Sequence, residues 1–558
     1  MQVKPRYPLA PAPARLPAPA PAYPGAPALH RASLLILGWS LVAPILLFAI
    51  FHAYGFDDPY ITYRYAVNLA AGQGFVYNPG ERVLSTTAPL YALLLAPFAA
   101  PGLDVPLISN LIGCVSLGAG ALALWRLGSL AGMPVAGGVA ALLYPLSPYL
   151  VLTLGAETAF FMALTLWGFV ALAAGYPAAA GLLLAGATLT RADAALAAVI
   201  GGSALLLEAA RAKLRRDGPA SPARLSAHGI DTPGAARESS GEHPRKPSPL
   251  PNDGTAAPQA SPAGRWVGRI PPLLRFSGAY LLIVAPFLGV AWIYFGTPLP
   301  ATLGVKRSQA HIPGSRSYLA GLGQQLAGLA QRPLFWPLLG LVPPGLMIGL
   351  WRRGPLLLPL VWGGLHALAY GLLGVTAYFW YYGPAALALI TTAALGAEAL
   401  VAWLRPWRRA WASAIVVSTL VGMILAAQGL ALARMASHPD PRLPLYRAAG
   451  QWLASSTTSD DRVGALEVGV IGYYSGRPMV DFAGLIQPEV ARTFEAGGGY
   501  EAAARRAVAA YRPAYLVNQE AAMPLVSNDP DLAARCVGVA EFPDPRYPTP
   551  LTIYRCAW

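Results

Sequence analysis

The sequence predicts an α-helical polytopic membrane protein with a small α/β domain after its last span. Three observations predict it. The 558 residues are 55% hydrophobic and only 12% charged, with a mean hydropathy of +0.47, too apolar for a soluble chain of this length. Apolar runs recur along the chain as far as residue 432, most of them close to the length needed to cross a bilayer. After residue 438 the pattern changes to short strand-like segments between turn residues.

Taken in order, residues 1–31 are rich in Pro and Ala and lack a signal-peptide pattern, so they are expected to form a disordered cytoplasmic tail. Apolar runs follow near 33–53, 104–125, 133–152, 156–175, 178–191, 192–210, 273–295, 333–351, 355–375, 378–403 and 410–432, which makes about eleven transmembrane helices. The run 88–100 is too short to cross and is expected to lie in the interface or to re-enter the membrane. Residues 178–210 are short for two crossings, but the basic stretch after Lys213 argues for two. The expected organisation is an N-terminal transmembrane catalytic module at 32–213 with a first outer loop at 54–103, a disordered cytoplasmic linker at 214–265, a C-terminal transmembrane module at 266–435 and an extracytoplasmic α/β domain at 436–558.

Charge fixes the expected orientation. With the N-terminus in the cytoplasm, Arg126, the stretch from Arg211 to Arg275, the Arg352–Arg353 pair and the Arg405, Arg408 and Arg409 cluster all fall inside. The net charge of +14 is thus read as topology in a plasma membrane, and nucleic acid is excluded as a partner. Only three cysteines and seven histidines are present, none grouped at zinc spacing. Cys536 and Cys556 fall in the two terminal strand-like segments, where they either bridge or remain separate buried thiols.

The polar, aromatic segment from Phe56 to Leu90 directly follows the first apolar run, which places Asp57 and Asp58 where hydrocarbon gives way to water. Asp58 before Pro59 reads as a helix N-cap, and Asp57, with no capping duty, is free to act as a base; which aspartate does so stays open. Tyr60, Arg64 and Asn68 share one face of the interfacial helix that follows. On this topology Glu81, Arg82, Glu157, Arg191, Asp193, Lys306 and Arg307 reach the same outer face. Each also has a plain reading: Arg191 and Asp193 as an ion pair closing a turn, Lys306 and Arg307 as snorkelling side chains, Glu157 as a cap. Carboxylates also suit Mg, Mn or Ca, which makes Asp57, Asp58 and Glu157 the candidate ligands of a divalent cation.

The segment FDDPYITYRYAVNLAAGQGFVYNPGERVLSTTAPL resembles the first extracytoplasmic loop of bacterial glycosyltransferases of the C-type (GT-C) fold. The likeness is to mycobacterial terminal arabinofuranosyltransferases and to family 39 and related glycosyltransferases. It continues in GAET at 155–158, LTRAD at 189–193, PLPATLGVK at 298–306, FWYYGP at 379–384 and VGVIGYYSGRPMVDFAGL at 468–485. The resemblance implies inverting transfer of a sugar from a polyprenyl-phosphate donor to an extracytoplasmic acceptor hydroxyl on a cell-envelope glycan, lipid or protein. It places the general base on Asp57, with Asp58 beside it. Such a transfer needs a carboxylate for the acceptor proton and cations for the departing phosphate. Arg64, Arg191 and Lys306 are the candidate phosphate ligands, and Tyr60, Asn68, Glu81, Arg82 and Glu157 the candidate acceptor or sugar contacts. Tyr60, Tyr63, Tyr65 and Phe75 could stack on a sugar or anchor at the interface. The rival reading is a transporter or flippase of a lipid-linked sugar, which would place its charges near the bilayer midplane on broken helices.

Overall fold

The structure, a computed structural model, describes residues 26–217, 271–352, 354–404 and 410–558. Most of the expected tail and linker therefore lies outside the described residues. The first helix already begins at Ala26, inside the expected tail. Among the described residues, seven helices are long and apolar enough to cross a membrane: His30–Phe51, Val105–Leu130, Ala192–Leu214, Pro272–Phe295, Pro333–Trp351, Phe379–Leu404 and one beginning at Trp411. The other expected spans are helices of 10 to 17 residues, such as Thr158–Ala173 and Leu357–Leu373. The run at 133–152 breaks after Leu143, because Pro145 and Pro148 interrupt its backbone bonding. Pro89–Ala99 is an 11-residue helix, as its short apolar run predicts.

Residues 178–210 do form two helices. Pro177–Thr190 ends at Arg191, whose extended backbone (φ −151°, ψ 125°) turns the chain before a 3-10 turn over Ala192–Ala194. The extended conformation points the Arg191 side chain back toward the helix bundle, and Asp193 follows on the turn.

The C-terminal domain holds a five-stranded sheet in the order β2-β1-β3-β5-β4. The strands are β1 (Val463–Ala465), β2 (Met479–Asp481), β3 (Tyr515–Asn518), β4 (Cys536–Phe542) and β5 (Leu551–Cys556). β1 pairs in parallel with β2 and β3, while β5 runs antiparallel to β3 and β4. The parallel pair β1/β2 needs a crossover, and the helix Val468–Ser475 supplies it. Cys536 and Cys556 stand directly opposite in the β4/β5 ladder and form a disulfide.

Two apolar cores matter for the site. One fills the helix bundle and includes Leu117, Leu166, Trp362 and Leu387. The other fills the C-terminal domain, and it incorporates Ile61, Tyr65 and Tyr77 from the first outer loop. The helix Asp57–Ala70 is consequently buried on nearly all sides between bundle and domain. The expectation of a helix lying in the membrane interface is corrected: its aromatic residues seek a protein core, not head groups.

Candidate active site

The sequence assigned the cap to Asp58 and left Asp57 free; the structure reverses both. The helix starts at Asp57 itself, its N-cap is Phe56, and no side chain caps it. The Asp57 carboxylate accepts the main-chain N–H groups of Gly469 (2.8 Å) and Val470 (2.7 Å). It thereby caps the helix Val468–Ser475, more than 400 residues away in the chain. Gly469 is required there, since a Cβ would overlap the Asp57 main-chain oxygen. Burial and the adjacent Glu467 carboxyl push the Asp57 carboxyl well above the usual carboxylate range, against the pull of the two N–H groups. Asp58 keeps its side chain 35% exposed, with Lys306 Nζ 3.7 Å from Oδ2.

Two cavities meet at this pair. The inner cavity, about 290 Å³, runs between the bundle helices. The outer cavity, about 480 Å³, lies between the first outer loop and the C-terminal domain. Phe56, Asp58, Lys306, Trp380 and Leu485 line both. Leu485 is placed by Asp481, whose buried carboxylate accepts the N–H groups of Ala483, Leu485 and Ile486. Lys306 sits on aromatic faces, 4.1 Å from the Tyr378 ring centre and 5.4 Å from Trp380. Burial opposes its charge, but Asp58 together with Tyr381, Tyr500 and Glu467 outweighs this and holds the Lys306 pKa above the ordinary lysine value.

Besides Asp58 and Lys306, the inner cavity brings together three more of the residues singled out in the sequence, Glu157, Arg191 and Asp193. Arg191 donates to Glu157 Oε1 (2.9 Å) and to Asp193 Oδ2 (3.2 Å). Asp193 also accepts from the Tyr370 hydroxyl at 2.7 Å and lies 3.1 Å from His366 Nε2. Arg191 is thus already matched by two buried carboxylates, and its guanidinium holds the cavity wall together. Lys306 has one carboxylate at a longer distance and is the cation better able to take up a phosphate.

Several expected site residues lie elsewhere. Arg64, expected at the donor phosphate, is buried and donates to three main-chain oxygens, of Tyr77, Gly472 and Arg477. It clasps the first loop to the C-terminal domain and lines neither cavity. Tyr60 packs on Tyr63, Tyr473 and Tyr474. Asn68 donates to the carbonyls of Val76 and Tyr77, Glu81 accepts from Asn78, and Arg82 lies over the Tyr294 ring. None of the four lines a cavity. Tyr63, Tyr65 and Phe75 also line neither cavity and pack within the protein. Arg307 is exposed and lines neither cavity.

The candidate cation ligands do not converge. Asp57 faces main-chain N–H groups, Glu157 faces Arg191 and Asp58 faces Lys306, and among the described residues no three acidic, His or Cys side chains gather as a metal site. Sequence reasoning missed Tyr370, His366, Trp380, Tyr378, Arg442, Glu467 and Tyr500. Trp380 lies inside the quoted FWYYGP block and Glu467 just precedes the VGVIGYY block, which was the available signal.

With this geometry in view, known proteins bear on the chain as follows. Residues 438–554 match a family described as a domain of unknown function, DUF8728. No curated protein matches the sequence. In structure, the chain is similar to the oligosaccharyltransferase of Archaeoglobus fulgidus (TM-score 0.52, 13% identity, 93% of this chain and 74% of that one). It is also similar to ArnT from Cupriavidus metallidurans, bound to undecaprenyl phosphate (TM-score 0.54, 11% identity, 93% of this chain and 97% of that one). The apo state of that ArnT gives a TM-score of 0.55 at 12% identity, over 94% of this chain and 98% of that one. The chain has the GT-C fold.

Proposed function

We propose that the protein is an integral membrane glycosyltransferase that moves a sugar from a polyprenyl-phosphate donor to an extracytoplasmic acceptor hydroxyl, with inversion at the anomeric carbon. The observation that carries this reading is the meeting of two cavities at one carboxylate–ammonium pair, Asp58 and Lys306. The donor phosphate and its sugar occupy the inner cavity, and the acceptor hydroxyl enters from the outer one. That one neighbour of the same fold is a protein bound to undecaprenyl phosphate supports a lipid-phosphate donor.

In the proposed step the Lys306 ammonium shifts from Asp58 to the donor phosphate, which frees both Asp58 oxygens. Asp58 takes the proton of the acceptor hydroxyl as its oxygen attacks the anomeric carbon. The bond from that carbon to the phosphate oxygen breaks, and the electron pair leaves with polyprenyl phosphate, held by Lys306. Arg191, fixed by Glu157 and Asp193, shapes the wall beside the sugar and does not supply the main phosphate contact.

The test incubates the purified protein with a panel of radiolabelled polyprenyl-phosphate sugars and a membrane glycan extract, and follows release of polyprenyl phosphate with label transfer. Transfer that falls by about 10² to 10⁴ in Asp58→Asn, as expected for a lost general base, supports the reading. Movement of intact donor across vesicles without bond cleavage would establish the flippase reading instead.

A further inference from the structure

The outer cavity has a wall that the GT-C bundle does not provide. Eight of its nineteen lining residues, including Asp440, Arg442, Glu467 and Tyr500, belong to the domain matched by the family of unknown function, whereas the inner cavity takes only Leu485 from it. The domain is thus built around one cavity and barely touches the other.

The chemistry of that cavity is selective. It presents four carboxylates, Asp57, Asp58, Asp440 and Glu467, against two cations, Lys306 and Arg442. Arg442 is committed to Asp440 (2.8 Å) and Glu467 (3.3 Å). Lys306 is in turn paired with Asp58, so the lining residues offer no unpaired cation to phosphate, sulfate or uronic acid groups. Carboxylates and the Gln309 side chain offer hydrogen-bond acceptors for hydroxyl protons. The apolar side is aromatic: Trp380 stacks with Phe56 (5.6 Å, 14°) and Tyr378 (4.6 Å, 10°), and Tyr500 lines the same space. Rings beside hydroxyl acceptors suit a molecule with an apolar C–H face and a rim of hydroxyls.

We infer that the 438–554 domain is the acceptor-recognition module, and that the outer cavity takes an uncharged carbohydrate, the terminal residue of a glycan, with Arg442, Glu467 and Tyr500 as its selecting residues. The inference rests on the glycosyltransferase reading for the word acceptor alone; the binding itself needs no reaction.

The experiment therefore measures binding without donor. Saturation-transfer NMR on the full-length protein, in a detergent without a sugar head group, uses methyl mannoside, galactoside, arabinofuranoside and N-acetylglucosaminide as neutral probes, methyl glucuronide as the anionic probe and a Ser/Thr-containing peptide as the third class. At least one neutral glycoside is expected to bind, with its dissociation constant raised tenfold or more by Tyr500→Ala and by Arg442→Gln. Arg442 is half exposed, so its variant keeps the test alive if Tyr500→Ala fails to fold. Binding of the glucuronide or the peptide as tightly as the best neutral glycoside, no neutral binding at all, or neutral binding untouched by both substitutions would each overturn the inference. A protein that binds the neutral glycoside yet consumes no lipid-linked sugar would leave this site standing and sink the transfer reaction.

Discussion

Asp58 opens onto both cavities, while one residue earlier the Asp57 carboxylate is consumed by the N–H groups of Gly469 and Val470. Two variants separate these tasks. Asp58→Asn is expected to lose transfer with a smaller fall in melting temperature, since it removes a long, partly exposed ion pair to Lys306, whereas Asp57→Ala uncaps a helix, costs about 1 to 2 kcal/mol and lowers the melting temperature more. Scanning fluorimetry beside the transfer assay checks both, and equal thermal loss in the two would contradict the division. Lys306→Met keeps the aliphatic stem on Tyr378 and Trp380 but removes the charge, so the donor concentration at half-maximal rate should rise at least tenfold, reflecting about 1.5 to 3 kcal/mol per charged hydrogen bond. The doublet itself was legible in the sequence as a candidate site, and both of its members line the outer cavity. Which of its members was free was not, because the capping partner lies over 400 residues away and capping rules see only the local helix.

At the scale of elements, the Asp57–Ala70 and Val468–Ser475 helices form one packed unit. Asp57 caps the second helix, Arg64 on the first reaches the carbonyl of Gly472, and a Cβ on Gly472 would overlap the Tyr77 hydroxyl. Gly469→Ala is expected to force these elements apart at a cost of about 1 to 3 kcal/mol, read as a lower melting temperature with lost transfer. Their contact also brings the Asp57 and Glu467 carboxyls together; burial raises both, with Glu467 adding to the rise of Asp57 and Asp58 to that of Glu467. Groups raised in the folded state bind protons more tightly there than in the unfolded chain, so stability falls as pH rises from the ordinary carboxylate range through the raised one. Wild-type protein should melt higher near pH 5.5 than at pH 8, and Glu467→Gln should flatten that slope; an unchanged slope would place the effect elsewhere. Hydropathy, periodicity and turn residues made most of the spanning helices and the five strands readable, although β1, β2 and β3 are buried on both faces. The same periodicity assigned Tyr60, Arg64 and Asn68 to a ligand face, because a polar stripe directed at another domain looks the same as one directed at substrate.

For the molecule as a whole, the Cys536–Cys556 bridge joins opposed residues of the β4/β5 ladder across a sequence separation of 20. Its closure is worth about 2 to 4 kcal/mol, so a phosphine reductant should lower the melting temperature, while Cys114, buried in the bundle, stays unalkylated until the protein is denatured. A disulfide fits an oxidising compartment, which agrees with a domain outside the cytoplasm. Ser459, exposed on that domain, offers the direct check: Ser459→Cys in intact cells should react with an impermeant maleimide, and labelling only after lysis would invert the topology. Charge along the loops could suggest the orientation, but no local pattern could announce the outer cavity, whose walls come from the first loop, residues 306–309, residues 378–380 and the C-terminal domain.

The clasp between the first outer loop and the C-terminal domain sets a clock on biosynthesis. Asp57 leaves the ribosome more than 400 residues before Gly469 and Val470 do, an interval of roughly 20 to 80 s at ordinary bacterial elongation rates of about 5 to 20 residues per second. Throughout that time Arg64 and Asp57 have none of their partners from the last domain, and the outer cavity has no roof. A half-made chain therefore lacks the wall of the outer cavity that the last domain supplies. The cavity is completed in one step, when the last domain packs onto the first loop.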